Sequence, residues 1–88
     1  MTWKVEWDDR ARRELRALDR TIQLRILGYL RDKIATDRNP RRLGRGLRGG
    51  LSGLWRYRVG DHRLVCDIRE DELVVLVLRA AHRKEAYR

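Results

Sequence analysis

The sequence predicts one α+β domain over residues 1–88: an N-terminal strand, a helical hairpin and a three-stranded antiparallel meander, with the helices packed on one face of the sheet. Three observations carry this prediction. Trp3 to Trp7 alternates apolar and polar residues, the period of a half-buried strand. Residues 9–36 repeat apolar residues at helical spacing. Residues 54–79 hold three runs rich in β-branched and aromatic side chains, separated by turn residues. The order strand–helix–helix–strand–strand–strand puts helices and sheet in separate layers.

In the first strand Trp3, Val5 and Trp7 share one face, and Lys4 and Glu6 the other. Asp8 or Asp9 supplies an N-cap for a helix over 9–18, with Ala11, Leu15 and Leu18 as its buried stripe. The chain breaks at Asp19-Arg20-Thr21, and Thr21 is the expected cap of a second helix running to about residue 36. Its buried face is Ile22, Ile26, Tyr29, Leu30, Lys33 and Ile34, while Leu24 and Leu27 fall off that face. Residues 37–53 read as loop, because Pro40 breaks a helix and Gly44, Gly46, Gly49, Gly50 and Gly53 favour open backbone. Arg38, Arg41, Arg42, Arg45 and Arg48 make this loop basic. No Gly-Lys-Ser/Thr follows its glycines, so it is not a phosphate-binding P-loop. The last three strands are expected at 54–59, 62–69 and 72–79, joined by Gly60-Asp61 and by Glu70-Asp71, both read as two-residue turns.

The first of these turns sets a register. Val59 falls opposite His62, Arg58 opposite Arg63, Tyr57 opposite Leu64 and Arg56 opposite Val65. One face then carries Trp55, Tyr57, Val59, Leu64, Cys66 and Ile68, and receives the helices. The other carries Arg56, Arg58, Arg63, Val65 and Asp67. Arg58 and Arg63 become cross-strand neighbours with Cβ atoms about 4.5–5.5 Å apart, a destabilising placement of like charges without a counter-ion. Two readings follow: side chains splayed into water, or a site where guanidinium forks hold a phosphate. Asp67 is placed to neutralise part of the cluster. A two-residue turn at 70–71 adds Val74, Leu76 and Leu78 to the arginine-bearing face.

Composition narrows the class of partner. The formal net charge is +9, which draws polyanions first and acidic proteins second. Nineteen of the 22 basic residues are arginine, a bias that GC-rich coding alone can produce. The single cysteine, Cys66, excludes an internal disulfide and reads as a small buried apolar residue. The longest apolar run, Leu73 to Leu78, is too short to cross a bilayer, and no apolar leader is visible after Met1. A cytoplasmic protein that does not engage membranes is therefore expected.

Four segments together resemble the RelE/ParE toxin superfamily of type II toxin–antitoxin systems, and its RelE-like branch in particular. They are Leu47-Arg48-Gly49, Leu51 through Val59, His62 through Cys66, and Ala81-His82-Arg83-Lys84-Glu85-Ala86-Tyr87. The element order agrees along the whole chain. The resemblance implies a metal- and cofactor-independent endoribonuclease that enters the ribosomal A site and cuts messenger RNA. It further implies a cognate antitoxin as partner. Carried over residue by residue, it makes Arg56 and Arg58 the basic pair of the second strand and Arg63 the arginine of the third. Arg83 and Tyr87 become the terminal pair. The sequence departs from the family where its members place a strand lysine or a loop glutamate as base: Arg56, Arg58 and Arg45 stand there, and arginine does not deprotonate. His82 is the remaining side chain with an ordinary pKa suited to proton transfer. A last strand continuing past Leu78 keeps residues 80 and 82 on the arginine-bearing face, which favours His82 but points Arg83 away. Two other functions share the basic surface: a ParE-type, non-enzymatic inhibitor of DNA gyrase, and a plain nucleic-acid-binding module.

Overall fold

A computed structural model describes residues 1–88. The elements are β1 (Lys4–Trp7), α1 (Asp9–Ala17), α2 (Arg20–Tyr29), β2 (Arg45–Gly46), β3 (Trp55–Val59), β4 (His62–Arg69) and β5 (Val74–His82). They form a five-stranded sheet in the order β1-β5-β4-β3-β2. The meander β3-β4-β5 is antiparallel, and β1 joins β5 in parallel, Lys4 opposite Val74 through Trp7 opposite Val77.

The core lies between the helices and one sheet face. Ala11 and Leu15 of α1 and Ile26 of α2 pack with Tyr57, Val59, Leu64, Cys66, Ile68, Val75 and Val77. This is the face expected for the first hairpin. Asp8 caps α1, its carboxylate accepting from the Ala11 amide at 2.8 Å. Thr21 does not cap α2. The helix begins at Arg20 with Asp19 before it, and the tight break is held instead by Gln23, which donates to the Leu18 carbonyl at 2.8 Å. Beyond Tyr29 the helix widens into a π-turn over Leu30–Ile34. That widening keeps Leu30 and Ile34 buried but turns Lys33, expected on the same face, into solvent. Leu24 and Leu27 are exposed.

The segment 37–53 is more ordered than a loop. The Tyr57 hydroxyl donates to the Pro40 carbonyl at 2.6 Å and the Trp55 indole to the Leu43 carbonyl at 2.7 Å. These bonds lay residues 40–46 along β3, where Arg45 and Gly46 pair with Arg56 and Trp55 as a fifth strand. Gly44 permits the approach: its φ is +76°, and a Cβ there would stand 2.3 Å from the Arg56 carbonyl oxygen.

Two connections decide which side chains face which way. Gly60-Asp61 is a two-residue turn with φ +60° at Gly60 and none positive at Asp61, the II′ pattern, and the expected register holds pair for pair. The β4–β5 connection is not the expected Glu70-Asp71 turn but four residues, 70–73, with Leu73 at φ +53°. The two extra residues leave parity unchanged, so Val74 and Leu76 fall opposite Arg69 and Asp67 on the arginine-bearing face as expected. Further along, Cys66 pairs with Val77 but Val65 pairs with Arg79, so Leu78 is a bulge. One unpaired residue reverses the alternation for everything beyond it.

Candidate functional site

The face of the sheet turned away from the helices carries the arginines. Arg58 and Arg63 are cross-strand neighbours there, and Arg56, two residues along, lies opposite Val65 on one side and Arg45 on the other. The bulge at Leu78 decides what β5 adds. Ala81 falls opposite Arg63, and His82 falls opposite His62. The expectation that residues 80 and 82 stay on the arginine-bearing face is therefore overturned. Ala80 belongs to the core, and the His82 ring meets the His62 ring edge-on at 5.7 Å. The same reversal brings in Arg83, whose amide extends the sheet by donating to the Asp61 carbonyl at 2.8 Å.

Five of the six residues singled out from sequence thus converge. Arg63 is the sunken member, only 7% exposed, its guanidinium donating to the Gly60 and His62 carbonyls at 3.0 and 3.1 Å. Its pKa is held below the ordinary guanidinium value, first by desolvation and then by the neighbouring positive charge of Arg58. Arg56 and Arg83 press in the same direction, and Tyr87 opposes them. Arg58 is exposed, with neither a salt bridge nor a side-chain hydrogen bond, and the buried Nε of Arg56 has no partner. Asp67, placed from sequence as the neutralising acid, instead pairs with Arg69 at 3.1 Å. The cluster is an uncompensated cationic surface with a half-exposed tyrosine at its rim, and an anion lowers its energy.

His82 has a different role in the geometry. Its Nδ1 accepts from the Lys84 amide at 3.2 Å, and its carbonyl accepts from the Glu85 and Ala86 amides. It shapes the turn that presents Arg83 and Tyr87. Burial first, then repulsion from the neighbouring His82, lowers the pKa of His62.

Two features escaped the sequence reading. Arg45 stands beside Arg56 because residues 40–46 are laid along β3, which no local periodicity announces. Arg79 and Glu14 form a bidentate pair at 2.9–3.1 Å that fastens the C-terminal turn. The apolar residues on the arginine-bearing face are also partly covered by the chain itself. Val65 is buried, and Leu51, Leu54, Leu78, Ala86 and Tyr87 surround it. Leu76 stays half-buried. No helix is long and apolar enough to cross a membrane.

Comparison with known proteins bears on this arrangement. The family described as the ParE toxin of the type II toxin–antitoxin system parDE matches residues 5–87. Toxin RelG of Mycobacterium tuberculosis is 32% identical over 88 residues, covering 100% of this chain and 99% of the relative. The toxin–antitoxin complex RelBE2 of M. tuberculosis contains a chain that superposes with a TM-score of 0.85 at 30% identity, covering 94% of this chain and 100% of that one. The archaeal RelE–RelB complex from Pyrococcus horikoshii gives 0.71 at 26% identity, covering 98% and 100%.

Proposed function

Since the chain belongs to the RelE/ParE toxin family of type II toxin–antitoxin systems, we propose that it is a ribosome-dependent endoribonuclease that cuts messenger RNA. The observation that carries this reading is the uncompensated cluster of Arg56, Arg58, Arg63 and Arg83 beside Tyr87. In the proposed reaction a ribose 2′-oxygen attacks the adjacent phosphorus and the bond to the 5′-oxygen breaks. A 2′,3′-cyclic phosphate and a 5′-hydroxyl result. The 2′ proton is lost and the leaving oxygen gains one, so the step balances without an oxidant or reductant. Arg58 and Arg63 hold the phosphate oxygens, Arg56 neutralises the charge that builds on them, Arg83 stabilises the departing oxygen, and Tyr87 stacks on or orients a nucleotide. Each well-placed donor is worth roughly 10²–10³ in rate. His82, the side chain whose ordinary pKa suits proton transfer, belongs in this reading to the turn, because its ring meets His62.

The partner follows from the same face. A cognate antitoxin supplies an acidic segment to the arginines and apolar contact to Leu76, with Leu24 and Leu27 as a further exposed apolar pair. The relatives solved as toxin–antitoxin complexes support this partner.

The family description favours a second reading, a ParE-type inhibitor that binds DNA gyrase without catalysis. That activity does not require the arginine–tyrosine set. Mapping 5′ ends of messenger RNA in a reconstituted translation system, with and without ribosomes, separates the two. New 5′ ends that depend on ribosomes support the ribonuclease. Intact RNA together with inhibited supercoiling by purified gyrase supports the alternative.

A further inference from the structure

We propose that Arg79 and Glu14 form a clamp that positions Arg83 and Tyr87 by holding the C-terminal turn against the arginine-bearing face; the inference rests on the ribonuclease reading only for its kinetic consequence. β1 ends at Trp7, opposite Val77, so β5 runs on past Leu78 with a bare edge. α1 lies beside that edge, and Glu14 accepts there from the Ala80 amide at 3.1 Å. Both Glu14 carboxylate oxygens also accept from the Arg79 Nε, at 3.1 and 3.0 Å, and Nη2 lies 2.9 Å from Oε2 in the same ion pair.

The other side of the same guanidinium faces the chain end. Nη1 donates to the Ala86 and Arg88 carbonyls at 3.3 and 2.5 Å, and Nη2 to the Glu85 carbonyl at 3.2 Å. Of the five guanidinium N–H groups, the one on Nε, both on Nη1 and one on Nη2 donate hydrogen bonds, and Nη2 also faces the carboxylate. Arg79, whose side chain is 12% exposed, has nothing left for a phosphate. It acts through the residues it holds. Ala86, 1% exposed, wedges beside Leu51, Leu54, Val65 and Leu78. Arg83 is tied at the other end of the turn to the Asp61 carbonyl. Arg83 and Tyr87 are therefore fixed between two anchors. Glu14 is needed because a charge drawn this far from water must be neutralised, and its bidentate grip fixes the plane of the fork. Lysine, a point charge with three donors, cannot replace that fork.

The test is amide hydrogen exchange on the full chain, with single-turnover RNA cleavage measured in parallel. The variants are Arg79→Lys, Glu14→Gln, and the exchanged pair Glu14→Arg with Arg79→Glu. In Arg79→Lys the Glu85 and Ala86 amides should exchange about tenfold faster, the loss of roughly one charge-assisted bond. Protection in β3 and β4 should not change. The single-turnover rate at saturating enzyme should fall by up to about 100-fold through misplacement of Arg83 and Tyr87, with the half-saturating concentration little altered. The exchanged pair should recover neither full thermal stability nor C-terminal protection, since a carboxylate at position 79 faces three carbonyl oxygens and an arginine at position 14 leaves the Ala80 amide without its acceptor. Unchanged exchange at Glu85 and Ala86 in Arg79→Lys, with β3 and β4 still protected, overturns the clamp. So does full recovery of both readouts in the exchanged pair. If the unmodified chain cleaves no RNA at all, the ribonuclease reading fails while the exchange experiment still decides the clamp; Glu14→Gln, which keeps every Arg79 donor, gives the same decision should Arg79→Lys fold poorly.

Discussion

Arg79 and the cluster of Arg56, Arg58, Arg63 and Arg83 occupy one face of one sheet, yet they are solvated in opposite ways. Arg79 meets a carboxylate and three carbonyls, through all three of its nitrogens. Arg58 has no partner, Arg56 keeps an orphaned buried Nε, and Arg63 loses water without gaining an acid. A fold built for stability alone would treat these residues alike. The difference separates an arginine whose charge the fold pairs from arginines it leaves without a counter-charge, and it rests on geometry, because the residue type is the same.

The comparison breaks most sharply at Arg63. Arg63→Ala should lower single-turnover RNA cleavage by roughly 10²–10³ and relieve toxicity, with the circular dichroism spectrum unchanged. A folded Arg63→Ala chain that cleaves at the original rate removes the cluster from the chemistry. On the structural side, Glu14→Ala leaves the Arg79 charge partly buried and unpaired. It should cost about 2 kcal/mol in urea unfolding, a loss that no single member of the cluster should match.

A smaller effect of opposite sign sharpens the contrast. Arg58→Ala removes one of two like charges that face each other across β3 and β4. It should raise stability by about 0.5 kcal/mol while abolishing most activity. Lower stability in that variant would place Arg58 among the structural arginines. The smallest effect concerns the histidines. His82→Gln should change the cleavage rate by less than about twofold, because general acid–base catalysis is worth roughly 10²–10⁴ and His82 is not placed to provide it.

His62 also gives the fold a pH dependence. Burial lowers the folded-state pKa of His62, so the unfolded chain binds its proton more readily. The contribution is fully present above the ordinary histidine value of 6.5 and is lost as the pH falls from there toward the folded value. Urea midpoints should drop on acidification below pH 6.5, and His62→Gln should flatten that part of the profile. Equal slopes for the two chains would show that His62 titrates alike in both states.

The first hairpin was legible in the sequence because its information is local. Gly60 supplies the one positive φ the turn requires, the turn length fixes the pairing, and pairing with period-two alternation then dictates that Arg58 meets Arg63. The helix stripes were legible for a similar reason, with Ile26, Leu30 and Ile34 four residues apart. The two extra residues in the second turn leave the face assignment intact, since parity survives an even shift. The bulge at Leu78 is another matter. Leu78 sits in a run of apolar residues with no glycine to mark it, and one extra residue moved His82 off the site and Arg83 onto it.

Sequence by itself determined the α+β class, the helix-facing and arginine-bearing sides of β3 and β4, and five of the residues that converge. Tertiary structure decided which side of β5 each residue takes beyond Leu78, that residues 45–46 become a strand, and that Arg79 is paired with Glu14. The physical reason is range. A turn or a helix face is settled by neighbours within a few residues, whereas Glu14 lies 65 positions from Arg79, and only the packing of α1 against the bare edge of β5 brings a carboxylate to that guanidinium.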